Sequence, residues 1–116
     1  MTAFNDTQRH FLQTQRLLGR LATVDANGNP HVTPVGWTFD AEHDSIDITG
    51  RDLTTTKKYR DVERTGRAAI VIDEVLSPWQ PRGIEIRGPA EVIPEPTPTI
   101  RIHADRIISW GLTTNQ

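Results

Sequence analysis

Between Arg51 and Arg67 the chain gathers Arg51, Lys57, Lys58, Arg60, Arg64 and Arg67 against Asp52, Asp61 and Glu63, a locally basic stretch in a protein whose net charge is −2. Thr49 and Gly50 precede it and Thr54, Thr55 and Thr56 lie within it, where the pattern passes from a strand into a helix. A helix start offers N–H groups without intrahelical acceptors and the positive end of the helix dipole, so hydroxyls and cations gathered there can hold a phosphate. Each charge-assisted contact would add about 1.5–3 kcal/mol. The same lysines and arginines would equally serve as the solvated face of an amphipathic helix, and composition leaves both uses open.

Little else in the chain suggests chemistry of its own. The four histidines, His10, His31, His43 and His103, have no paired ligand spacing, and only His31 falls on a strand able to line a pocket. There is no cysteine, which excludes disulfides, thiolate metal sites and cysteine nucleophiles. Ser45, Ser77 and Ser109 stand outside any nucleophile-elbow context, and no glycine-rich dinucleotide fingerprint or P-loop is present. No catalytic side chain and no metal ligand set is therefore predicted; reactivity would have to come from a bound group. The acidic balance argues against nucleic acid as a partner. No run approaches the roughly 20 apolar residues of a membrane span, and no signal-peptide pattern opens the chain. The expectation is a soluble cytoplasmic protein.

The elements that must position the basic stretch are short. With 116 residues, 35% of them apolar, the chain suits one domain, residues 1–116, with little core to spare. Thr7 to Arg16 reads as a helix capped by Asn5 or Asp6. The period then changes to two: Leu17–Val24 and Pro30–Phe39 form a hairpin about Asn27-Gly28, residues that tolerate the positive φ of a tight turn. Val35, Trp37 and Phe39 would share a face, and Pro34, which cannot donate to a ladder, implies an edge, a bulge or the approach of another molecule. Ser45–Thr49 is a third strand, Asp52–Arg64 a helix closed at Thr65-Gly66, and Ala68–Ile72 a central strand buried on both faces. Glu74–Pro81 reads as a loop carrying Trp79. Gly83–Arg87 is a strand with a bulge at Gly88-Pro89 before Ala90–Ile93, and Pro94–Pro98 is an extended linker. Thr99–His103 and Arg106–Leu112 would close the chain as a terminal hairpin. This is a mainly β, antiparallel barrel or sandwich of about seven strands, with an N-terminal helix and one inserted helix.

Three segments carry a family resemblance. Arg20–Val24 with Asn27–Val35 resembles the opening hairpin of the pyridoxamine 5′-phosphate oxidase-like split β-barrels. Thr56–Val62 followed by Gly66–Asp73 resembles their inserted helix and next strand, and Arg82–Glu91 their following strand. Ile107–Leu112, with its Trp110-Gly111-Leu112 ending, is similar to the terminal strand of the branch that uses the deazaflavin coenzyme F-420. The resemblance runs from about Leu17 to Leu112. It implies a homodimer with two cofactor sites between the subunits, F-420 as cofactor or FMN in its stead, and a small organic molecule as substrate. Thr49, Gly50, Arg51, Lys57 and Lys58 would then lie at the cofactor phosphate, and His31, Val32, Thr33, Pro34 and Val35 along the ring system.

Two departures accompany it. Many relatives have asparagine after the helix arginine, where this chain has Asp61, and the long C-terminal extension of pyridoxamine phosphate oxidases is lacking, which argues against that activity. The implied function is hydride transfer from a bound deazaflavin or flavin, the protein binding, orienting and shielding it. A non-catalytic cofactor-binding module and a structural dimer without cofactor are the competing expectations. Arg60, Arg64, Arg82 and Arg87 are candidates for a basic track toward an anionic cofactor tail. Trp79 could cover a substrate or pack on the barrel rim; Trp37, Trp110 and Ile108 are candidates for core or subunit interface.

Overall fold

A computed structural model describes residues 2–113. The elements, in order, are α1 (Asp6–Thr14), β1 (Gly19–Val24), β2 (Pro30–Val35), β3 (Thr38–Asp40), β4 (Ser45–Ile48), a 3-10 turn (Leu53–Thr55), α2 (Lys57–Thr65), β5 (Arg67–Leu76), β6 (Gln80–Ile93), β7 (Thr99–His103) and β8 (Arg106–Trp110). Eight strands are found where about seven are expected. The extra one arises because Pro30–Phe39 is not a single strand: it breaks at Gly36-Trp37, and β2 and β3 fall into different sheets. Trp37 turns inward there, its Nε1 donating to Leu17 O at 2.7 Å, while Phe39 packs edge-on against Phe4 with centroids 5.3 Å apart. Val35, Trp37 and Phe39 therefore do not line one strand face.

All pairings are antiparallel, in the order β2-β1-β5-β6-β7-β4-β3, with β8 also on β6. The 14-residue β6 belongs to both halves: residues 80–89 pair with β5 and 83–87 with β8, whereas 90–93 pair with β7. This sharing gives the split barrel its two sheets. The expected bulge at Gly88-Pro89 is instead the crossing point, since the register with β5 runs unbroken through both residues. A side chain cannot be accommodated there: a Cβ on Gly88 would lie 2.0 Å from His103 O. The expected terminal hairpin is likewise corrected, because β7 pairs with β4 and β6, and β8 with β6 alone. The Ala104-Asp105 step carries the chain from one half to the other, anchored by Asp105 N–H donating to Arg87 O at 3.0 Å.

Alternation places the core. Leu21, Ile70, Ile72, Ile84 and Ile86 of the first half face Ile46, Ile48, Ile100 and Ile102 of the second, all buried, and Phe4, just before α1, with Phe11 and Leu12 of α1 closes one end. The capping box that starts α1 pairs Asn5 Oδ1 with Gln8 N–H and Gln8 Oε1 with Asn5 N–H, satisfying two otherwise orphaned donors. β5 alternates rather than being buried on both faces: Ala68, Ile70 and Ile72 are inside, while Ala69 and Val71 are half-buried on the outer face. Nor is Glu74–Pro81 a loop; β5 and β6 extend as a hairpin whose tip carries Trp79, 75% exposed. Among the described residues no helix is long and apolar enough to cross a membrane.

Candidate functional site

The site grows from the junction between β4 and α2. After β4, Thr49, Gly50 and Arg51 emerge exposed, Asp52 takes a left-handed φ of 53°, and the 3-10 turn brings the chain into α2. Thr56 is the N-cap: its Oγ1 donates to Leu53 O at 2.6 Å and accepts from Tyr59 N–H at 3.3 Å. Thr56 is thus committed to the helix start, which leaves the N–H groups of Lys57 and Lys58 without intrahelical acceptors. Tyr59, Asp61 and Val62 bury the inner face of the helix, while Lys57 is exposed and Lys58 half-buried at its N-terminus.

The two lysines differ in their surroundings. Lys57 Nζ lies 3.2 Å from Asp61 Oδ1 and 3.7 Å from Asp25 Oδ2. Asp61 is buried, and its other oxygen accepts from Thr23 Oγ1 at 2.8 Å. Asp25 organises the β1–β2 turn by accepting from the Asn27 and Asn29 N–H groups, each at 2.9 Å. Its carboxyl is held below the ordinary carboxylate range, chiefly by the Asn29 backbone N–H and in part by Lys57. One ammonium thereby ties α2 to the β1–β2 turn. Neither Lys58 nor Arg51 has a hydrogen-bond or ionic partner among the described residues.

β2 supplies the other wall. It pairs only with β1, from Gly19↔Val35 to Val24↔Pro30, and so forms an edge of its sheet. Prolines 30 and 34 both sit in this ladder, and a residue without N–H can occupy only its non-hydrogen-bonded positions. Residues 30, 32 and 34 therefore turn their backbone groups to the open edge, where Val32 alone retains an N–H. Side chains alternate accordingly. His31 and Thr33 lie half-buried on the inner face, Val32 (65% exposed) and Pro34 are on the outer face, and Val35 is in the core with only its backbone available. His31 stands opposite Thr23, which links this strand through Asp61 to α2.

Through Asp25 and Asp61 the structure ties Lys57 to the β1–β2 turn and to β1, whose Thr23 pairs with His31; Lys58 follows at the start of α2, and Thr49, Gly50 and Arg51 lie on its approach. Pro34 and Val35 are at the end of β2 away from that turn. Of the arms of the network, Asp61 stands out in the sequence only as a departure from the asparagine of many relatives, and Thr23 and Asp25 do not stand out at all. The four-residue spacing of Lys57 and Asp61 on a helix was the available signal. On the outer face a groove of about 590 Å³ runs beside Ala22, Val24, Pro30, Arg67, Ala69 and Arg87. Of the proposed basic track, Arg82 is excluded: it is buried, its Nε donating to Glu74 Oε2 at 2.8 Å, with its guanidinium 5.4 Å from the centroid of Phe11. Arg60 Nη1 donates to Thr55 O at 2.8 Å, and Arg87 lies 3.4 Å from Glu85. Of the other histidines, His43 bonds Asp40 at 2.8 Å and His103 pairs with Glu91 at 2.5 Å, both at the surface; Asp40, Glu42 and His43 bring their ligand atoms within 4.8 Å of one another on an exposed turn.

These residues fit a flavin-type cofactor on the chemistry of the donor set. Val32 offers one N–H and one C=O side by side, matching an adjacent acceptor and N–H on the polar edge of an isoalloxazine or deazaflavin ring. Lys58, Arg51 and the helix N-terminus supply the charge a phosphate requires.

Known proteins share this fold. Residues 4–110 match the family described as pyridoxamine 5′-phosphate oxidase. The 5a,11a-dehydrotetracycline/5a,11a-dehydrooxytetracycline reductase of Streptomyces rimosus subsp. rimosus is 42% identical over 105 residues, covering 81% of this chain and 74% of the relative. Among solved structures, a conserved hypothetical protein from Mycobacterium tuberculosis has a TM-score of 0.78 at 18% identity, covering 95% of this chain and 86% of its own. A structure described as an F-420 reductase has a TM-score of 0.68 at 22% identity, covering 84% of this chain and 93% of its own. At such identities the two structures speak for the fold alone.

Proposed function

Because the chain belongs to the pyridoxamine 5′-phosphate oxidase family, we propose that it is an oxidoreductase that binds the deazaflavin F-420 between β2 and α2 and reduces a carbon–carbon double bond in a polycyclic substrate. The observations that carry this reading are the open edge of β2, with Val32 N–H as its donor, and two unpartnered cations at the start of α2, which the Lys57–Asp25 contact ties to the β1–β2 turn. The reductase relative, acting on a dehydrotetracycline, supplies the reaction class. When bound and reduced, the cofactor supplies the hydride. The chain's own part is to hold the phosphate with Lys58, Arg51 and the first N–H groups of α2, and to orient the ring through Val32. A proton from water completes the reduction of the double bond.

The reading includes a homodimer. On the outer face of the first sheet Val32 and Ile108 are exposed, and Ala22, Val24, Ala69 and Val71 are half-buried between them. A second copy covering this face would also wall in the groove beside Pro30 and Arg67, and Trp79 at its hairpin tip would then be free to cover a substrate.

Titration of the cofactor-free protein with F-420, followed by fluorescence, is the test. Lys58→Ala and Arg51→Ala should each weaken binding about tenfold, as expected for one lost charged contact, with thermal stability unchanged. Unchanged affinity in both variants would return the cations to a solvated helix face and overturn the assignment of the site.

A further inference from the structure

Of the cations at the start of α2, Lys57 is the one whose charge is already met. Asp61 holds it from below at 3.2 Å, and Asp25 faces it across the β1–β2 turn at 3.7 Å. The two carboxylates are not equivalent. Asp25 is on a turn and only half-buried, partly within reach of water and salt. Asp61 is 3% exposed, fixed by Thr23 Oγ1 through one oxygen and by Lys57 through the other. Its charge is therefore less screened, and it cannot swing away when an anion arrives. Lys57, Lys58 and Arg51 bring three positive charges to this end of the helix, and Asp25 and Asp61 bring two negative ones. What remains is a weakly positive site, where an anion gains from Lys58, Arg51 and the helix dipole but is opposed by a carboxylate that does not move.

Such opposition grows with the charge on the ligand. A phosphomonoester carries about −1.5 to −2 at neutral pH, whereas a phosphodiester carries a single charge. We propose that Asp61, by neutralising Lys57 from a buried position, makes this site selective for the singly charged phosphodiester of a deazaflavin over the doubly charged phosphomonoester of FMN. The inference rests on the proposed function, since it concerns the phosphate of that same cofactor. It gives Asp61 a role in specificity distinct from its role in packing. Even with the full screening of water, a unit charge about 7 Å from an anion changes affinity by about threefold for each charge on the ligand, and the burial of Asp61 can only raise that figure.

The test uses the purified full chain, freed of cofactor, titrated with riboflavin, FMN and F-420 at low salt. Riboflavin has the ring but no phosphate and reports everything except the anion site. Asp61→Asn keeps the shape of the side chain and its acceptor for Thr23, and leaves Lys57 with Asp25 as its one remaining carboxylate among the described residues. It should tighten FMN by about tenfold or more and F-420 by about threefold or more, FMN always the more strongly, and leave riboflavin unchanged. Asp25→Asn, on the exposed turn, should move FMN in the same direction by less. Asp61→Asn combined with Lys57→Met removes both charges and should return the FMN-to-riboflavin ratio to that of the wild type. A ratio that stays the same or falls in Asp61→Asn overturns the inference. Weakening of FMN and riboflavin together also overturns it, because that is the behaviour of a residue that only supports the fold. Should Asp61→Asn fail to fold, Asp25→Asn carries the test, and no rise in its ratio is decisive against the idea. If the wild type binds none of the three, the proposed function falls and this inference falls with it; binding with an unaltered ratio removes the inference alone.

Discussion

The lone donor on the open edge of β2 can be removed without touching the ladder, which makes Val32→Pro an informative substitution. Proline at 32 would share parity with the prolines already at 30 and 34, so the N–H it deletes faces away from β1. The Val32 side chain is 65% exposed, and little apolar burial is lost. Proline also restricts the unfolded chain, worth about 0.4–1 kcal/mol where the backbone suits it. These small terms oppose one another, and stability to urea should stay within about 1 kcal/mol of the wild type. Cofactor binding should lose one hydrogen bond, about 0.5–1.5 kcal/mol, which weakens affinity roughly twofold to tenfold. The assay pairs a urea unfolding curve with fluorescence titration of F-420 on the same preparation. A large loss of stability would mean that Val32 N–H belongs to the β1–β2 ladder after all. Intact stability with unchanged affinity would mean that the ring does not lie along this edge.

Arg82→Met should lower stability by about 2 kcal/mol, less than a fully buried ion pair would lose because Glu74 can rehydrate, and a shifted urea midpoint at constant slope checks it. The salt dependence of cofactor binding should not change in that variant, since Arg82 is spent on the β5–β6 hairpin and on Phe11. Ile108→Glu, at a position 42% exposed on the outer sheet face, should shift the protein from dimer to monomer by light scattering while the isolated chain keeps its circular dichroism. A wild-type protein that is already monomeric at micromolar concentration would remove the inter-subunit groove from the proposal.

How far the fold is legible in the sequence depends on the range of the force that decides each element. The turn of the first hairpin and the end of the inserted helix at Gly66 are set locally, by Asn27-Gly28 and by a positive φ of 69° at the glycine, and both are found where the pattern puts them. The helix expected over Asp52–Arg64 starts only at Lys57, because Asp52 takes a left-handed φ of 53° and Leu53–Thr55 forms a separate 3-10 turn. The passages between the two sheets are set by tertiary packing. Pro30–Phe39 has a continuous period of two, and only the burial of Trp37 against Leu17 breaks it. Arg106–Trp110 has the pattern of a strand returning on its predecessor, yet β6 is long enough to offer each of the last two strands its own partner. Gly88 marks that handover. In sequence it is indistinguishable from a bulge, because the atom that demands a glycine, His103 O, comes from 15 residues later.

The site was legible as composition and not as electrostatics. Counting charges from Arg51 to Arg67 finds the basic stretch but treats Lys57 and Lys58 alike. The difference between them is made by residues from three places. Asp61 follows Lys57 by one helical turn, Asp25 belongs to the preceding hairpin turn, and Thr23 lies inside β1. Only the docking of α2 on β1 turns Asp61 from one more solvated carboxylate into a fixed charge beneath the site. The consequence reverses the simple expectation for basic clusters. Removing a cation here should weaken anion binding at Lys58, whereas removing the anion at Asp61 should strengthen it most for the ligand with the most charge. Selectivity for a weakly charged cofactor phosphate then comes from a negative group buried among positive ones, and the strength of the site is set by how many of its cations are already occupied.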